Sequence, residues 1–113
     1  MSHQTFVLGV VLAERARAGE RFHEFLRVPA LSAGLYVLPV GGSDLQSPHA
    51  EDELSVVVRG RAVLDVDGVD VPVSPESVVY VPTRVPHRFH TITEELSELV
   101  CFAPAETSAG GGC

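Results

Sequence analysis

Nineteen of the 113 residues are valine, and most of them come in short runs set apart by turn-forming residues. Val56-Val57-Val58, Val69 to Val73 and Val78 to Val81 are the clearest. A side chain branched at Cβ is stiff at its first torsion and suits a pleated, half-buried surface better than a helix. Between the runs stand Gly41-Gly42, Asp67-Gly68, Ser74-Pro75, Pro82 and Pro86. Asp-Gly between two apolar runs is a strong tight-hairpin signal. Short strands parted by such turns predict an all-β fold, a barrel or a sandwich. A chain of this length forms one domain with a modest core, and with no internal repeat it makes one barrel.

The expected strands cover 31–40, 51–59, 61–65, 69–73, 77–81, 87–92 and 97–103, with a turn at 93–96. Residues 31–105 therefore form the barrel. Residues 1–30 read as an arm that packs on the barrel or on a partner, with either a short helix over 10–20 or a strand over 6–12. The end of the chain, 106–113, is rich in Gly, Ser and Ala and is expected to be disordered.

Charge narrows the partners. The net charge is −7, with eight Arg and no Lys. An acidic domain with no basic cluster is a poor binder of nucleic acid. No apolar stretch is long enough to span a bilayer as a helix. Two cysteines, Cys101 and Cys113, do not make a secreted disulfide framework. A cytoplasmic protein is expected. A small barrel has much surface for its volume, and the apolar groups of the arm suit a partner's edge strand, so a homodimer is expected.

The chemistry concentrates in two segments. His49 and Glu53 lie four residues apart on an expected strand, so they point to one face. His87 follows 34 positions after Glu53, beyond a turn bracketed by Pro82 and Pro86. Two imidazoles and a carboxylate on rigid strands suit one divalent transition metal, Fe, Mn, Ni, Cu or Zn, and leave coordination positions open. Ser47 shares the parity of His49 but is a poor ligand. Gln46 reaches the fourth position if the loop bulges. Glu51 has the same parity and is a ligand, a general base or a solvated rim acid; the cost of burying the whole Glu51-Asp52-Glu53 cluster favours the rim. Tyr36, Ser55, Phe89 and Phe102 are candidates to line the cavity, with Tyr36 and Glu51 as the catalytic candidates. Arg59 shares parity with Glu53 and is a candidate for meeting an anionic substrate. His90 has the opposite parity to His87 and is expected at the surface.

These residues resemble the two motifs of the cupin superfamily. The first, G-x5-H-x-H-x3-E-x6-G, is met by Gly41, His49, Glu53 and Gly60, with Ser47 at the first histidine. The second, G-x5-P-x-G-x2-H-x3-N, is met by Pro82 and His87, with Glu76, Arg84 and Thr91 at the two Gly positions and the Asn position. The resemblance spans about 35–104; SPHAEDE, VVRGRA, VPTRVPHRFH and FAPA are similar to a group of compact bacterial monocupins. It implies a cupin-type jelly-roll β-barrel and a metal-dependent enzyme on a small organic molecule, with a dioxygenase-like oxidoreductase first. A non-redox isomerase, lyase or polyketide-type cyclase and a non-catalytic ligand-binding cupin are the alternatives.

Overall fold

The computed structural model describes residues 3–44 and 49–107. Gln46 and Ser47, the candidates for a fourth ligand, lie outside the described residues, as does Cys113.

Among the described residues, one helix, α1 (Leu8–Ala18), precedes six strands: β1 (Phe22–Val28), β2 (Leu31–Leu38), β3 (Asp52–Val66), β4 (Val69–Val73), β5 (Val78–Val81) and β6 (His87–Ala103). Every pairing is antiparallel, in the order β1-β2-β6-β3-β4, and β5 also pairs with β3. The fold is the jelly-roll barrel expected.

Two strands are longer than the sequence suggests. Segments 51–59 and 61–65 fuse into β3, and the turn expected at 93–96 is instead part of β6. The reason is mutual. Val56↔Leu99 and Glu53↔Phe102 pair the first half of β3 with the second half of β6, and Val63↔His90 and Val66↔His87 pair the remaining halves. Between them the register shifts around Arg59 and Arg61. Such irregularities bend a strand without ending it. Gly60 sits at the bend with φ 97°, and a Cβ there would stand 2.1 Å from the Glu95 carbonyl oxygen. No other residue fits so close to that backbone. Glu94 and Glu95 read as turn residues because they are charged, yet they face solvent from a paired strand; Arg61 Nε meets Glu94 Oε2 at 3.0 Å.

Residues 22–28, placed in the arm by the sequence, form edge strand β1. Phe22 accounts for its attachment: a Cβ on Gly34 would lie 2.4 Å from the Phe22 ring, so the glycine of β2 makes the space that ring fills. Helix α1 ends at Gly19, in the left-handed region, and buries Val11. The core inside the barrel is built from Leu38, Val57, Leu64, Ile92, Leu96 and Val100 with their neighbours. Among the described residues, no helix is long and apolar enough to cross a membrane.

Candidate metal centre

His49, Glu53 and His87 come together inside the barrel. All three are buried, and one ligand atom from each lies within 4.8 Å of the others. Glu53 faces inward from β3 and His87 opens β6, whereas His49 stands on the segment leading into β3. Three contacts fix that segment to the Pro82–Pro86 turn. Arg84 N–H donates to His49 O at 2.7 Å, Thr83 Oγ to Ala50 O at 2.8 Å, and Thr83 N–H to Asp52 Oδ1 at 2.9 Å. The two histidines are thus held by one pair of joined loops.

The hydrogen bonds decide which atoms face the centre. His87 Nδ1 lies 3.0 Å from the Val85 carbonyl oxygen, which only accepts, so Nδ1 carries the proton. Nε2 then turns its lone pair toward Glu53 Oε1 at 3.2 Å. Two electron pairs meet there unless a proton or a cation lies between them. His49 Nε2 approaches the same oxygen at 3.8 Å. Ser55 Oγ donates to the other carboxylate oxygen, Oε2, at 2.8 Å, leaving Oε1 for both rings. Donors about 2.0–2.2 Å from one metal ion stand roughly 3.0–3.4 Å apart, and the two distances to Glu53 Oε1 need only small adjustment to meet this. Neither ring nitrogen of buried His49 has a hydrogen-bond partner among the described residues. The residues fit a metal.

Electrostatics separates the two rings. Burial pushes the His49 pKa down and the His87 charge assists, against the nearby carboxylates, so neutral imidazole is favoured. For His87 burial acts in the same direction, but the hydrogen bond and charge of Glu53 outweigh it and the pKa rises.

The other candidates separate into those inside and those outside. Ser55, Phe89 and Phe102 are buried. The Phe102 ring packs on His49, with centroids 4.8 Å apart. Tyr36 is inside as well, its hydroxyl donating to Asp44 Oδ1 at 2.6 Å, while Phe89 N–H donates to Asp44 Oδ2 at 2.7 Å. Glu51 is not at a solvated rim. It is buried, and its Oε2 accepts from Thr107 N–H at 3.2 Å and Thr107 Oγ at 2.7 Å. Only Asp52 of the acidic cluster is exposed, which lightens the cost that argued for the rim. Arg59 is exposed, because the register shift at 57–59 breaks its parity with Glu53. His90 points outward to Asp70 Oδ1 at 2.9 Å.

Three acids were not singled out from the sequence. Asp44 lies in a loop and carries no periodic signal. Glu98 faces the barrel interior with no exposure, and neither of its oxygens has a hydrogen-bond partner among the described residues. Burial, then the charges of Glu53 and Asp44, raise its pKa well above the ordinary value. A signal was present: Leu96, Glu98, Val100 and Phe102 share one parity, so an acid sits on an apolar face. Glu106, assigned to the tail, is also buried; burial and then the Glu51, Glu24 and Glu53 charges push its pKa up to about 7, against Arg27.

Comparison with known proteins agrees with this fold. Residues 34–103 match the profile of the family described as Cupin domain. The chain is 45% identical over 104 residues to the uncharacterized protein SCO3923 of Streptomyces coelicolor, covering 92% of this chain and 99% of that one. Among solved structures, an RmlC-like cupin from Shewanella frigidimarina superposes with a TM-score of 0.68 at 23% identity, covering 74% of this chain and 75% of the other. The DMSP lyase DddQ from Ruegeria pomeroyi superposes with a TM-score of 0.66 at 21% identity, covering 78% of this chain and 49% of that one. At such identities the likeness is one of fold.

Proposed function

The chain belongs to the cupin family, and we propose that it is a metal-dependent enzyme acting on a small organic molecule, first of all an oxidoreductase of the dioxygenase type. The observation that carries this reading is the buried group of His49, Glu53 and His87. Two histidines and one carboxylate are the ligand set of non-haem iron oxygenases, in which open positions admit substrate and oxidant together. When bound, the metal supplies Lewis-acid or redox chemistry. The chain supplies the rest: Ser55 orients Glu53, Phe102 walls the His49 ring, and Tyr36 and Glu51 are the groups proposed to move a proton of the substrate. Gln46 stays in this reading as the fourth ligand. An amide oxygen is a weaker donor than imidazole, so Gln46→Ala should reduce metal affinity less than loss of either histidine.

Glu98 favours a second reading. A buried carboxyl that keeps its proton is the kind of group that donates one to a reacting atom, as an isomerase, lyase or cyclase requires. DddQ, a lyase by name, shares the fold alone.

Elemental analysis of protein purified without a metal-binding tag tests the reading. Iron or copper supports the redox reaction class, zinc or nickel moves the balance to proton transfer, and a protein that takes up no metal is a ligand-binding cupin. We also propose that it works in the cytoplasm as a homodimer. Phe6, Val7, Leu8 and Val10 are exposed at the start of the chain and offer an apolar surface to a second copy. A monomer mass by light scattering at micromolar concentration would end the dimer.

A further inference from the structure

The residues after β6 do not leave the barrel directly. Ala105 N–H donates to Pro29 O at 3.4 Å, Arg27 Nη2 to Glu106 O at 2.6 Å, and Glu106 N–H to the buried Ser32 Oγ at 2.9 Å. Thr107 adds its two bonds to Glu51. These anchors come from β1, the β1–β2 turn, β2 and the segment that carries His49. Together they set the Glu106 backbone, and the side chain, 2% exposed, reaches to 3.3 Å between Oε2 and His49 Nδ1. The pair is close but not yet a formed hydrogen bond: both atoms lack another partner among the described residues. Each is therefore the partner the other needs. Glu106 faces the nitrogen that does not turn toward Glu53, so it stands behind the ring and outside the ligand group.

We propose that Glu106 is a positioning residue for the metal, a carboxylate behind His49 that holds the proton on Nδ1 and so presents the Nε2 lone pair to the centre shared with Glu53 and His87. The inference rests on the metal reading above. An imidazole left to itself in water prefers its proton on Nε2, which would block the ligand atom. A ligating histidine whose other nitrogen donates to a carboxylate is fixed in tautomer and orientation, and loss of such a partner typically costs about 10–100-fold in metal affinity. His87 obtains the same service from the Val85 carbonyl. The two rings are thus oriented by different means, one by its own turn and one by the C-terminal strap.

Two measurements on full-length protein test this. Cobalt(II) titration reads affinity, and long-range proton–nitrogen NMR of the metal-free protein reads the His49 tautomer. Glu106→Leu should weaken Co(II) binding by about 10–100-fold and move the His49 proton from Nδ1 to Nε2. Thr107→Val removes only the hydroxyl bond to Glu51 and keeps the carboxylate and the Pro29, Arg27 and Ser32 anchors that set it, so it should leave the tautomer unchanged and affinity near wild type. If Glu106→Leu does not fold, Glu106→Gln keeps the shape and removes only the charge, and Co(II) affinity should then fall several-fold. Wild-type affinity in the folded Glu106 variant overturns the proposal, as does an equal loss in Thr107→Val. Should the wild-type protein itself bind no Co(II), the metal reading fails, yet the tautomer still decides the role of Glu106: Nδ1–H in wild type and Nε2–H in Glu106→Leu upholds the contact, and no change removes it.

Discussion

A carboxyl group with no exposure and no hydrogen bond among the described residues, as at Glu98, holds its proton more tightly than a carboxyl in water. Its raised pKa has a definite sign in stability. The folded state holds a proton that the unfolded chain releases above the ordinary carboxylate value of 4.5. Stability from this group is therefore full below that value and is lost as pH rises toward the folded pKa. One such proton gives a slope of about 1.4 kcal/mol per pH unit. Urea denaturation of metal-free protein across mildly acidic to neutral pH should show wild type losing stability faster than Glu98→Gln, whose amide cannot ionise. Parallel curves for the two would mean that Glu98 is ionised in the fold. For the ligands, His49→Ala, Glu53→Ala and His87→Ala should each abolish stoichiometric metal binding, because two donors hold a metal weakly. His90→Ala should leave binding intact, since its ring pairs with Asp70 on the outside. Full occupancy in His49→Ala would sink the site.

At the scale of elements, the turns between strands and the bends within β3 and β6 carry unusual backbone. Gly41, Gly60, Glu76, Arg84 and Thr91 all have positive φ. They are the five positions at which the cupin motifs have Gly or Asn. The backbone of the motif is kept here although Glu, Arg and Thr have replaced its small residues, at a cost of about 1–2 kcal/mol for each left-handed side chain. Arg84→Gly keeps the N–H that holds His49 O and removes that strain. Glycine's extra freedom in the unfolded chain offsets part of the gain, so denaturation should show a change between nil and about 1 kcal/mol of stabilisation. Gly60→Ala should do the reverse. Its Cβ meets the Glu95 carbonyl, a backbone atom that cannot rotate away, and roughly 3 kcal/mol or more should be lost. If alanine is tolerated there, the β3 and β6 bends are looser than the geometry says.

Across the whole molecule the centre joins parts distant in sequence: a segment before β3, the start of β6 and the strap after it. A ligand that binds only where these meet stabilises the entire fold, by about 2.7 kcal/mol at a concentration 100 times its Kd. A saturating divalent metal should raise the melting temperature, a chelator should reverse it, and His87→Ala should show neither effect in the same thermal scan.

By itself the sequence determined the class of fold and the three candidate donors. Valine runs and Asp67-Gly68 carry the strands and a hairpin, and period-two parity turns His90 away. These are local rules, and local chemistry states them in full. His49, expected on the strand with Glu53, instead precedes β3 and is set beside Glu53 by the loop contacts to Thr83 and Arg84. Only the tertiary structure decided that β3 and β6 run unbroken through Gly60 and Glu95, because a strand's length depends on a partner far along the chain. It decided that Arg59 leaves the face of Glu53, since a shifted register cancels parity. It also turned Glu51 inward, where hydrogen bonds from Thr107 offset the cost of burying its carboxylate, and brought Glu106 behind His49 by tying its backbone to Arg27 and Ser32. A burial cost offset by distant partners cannot be read from the residues alone.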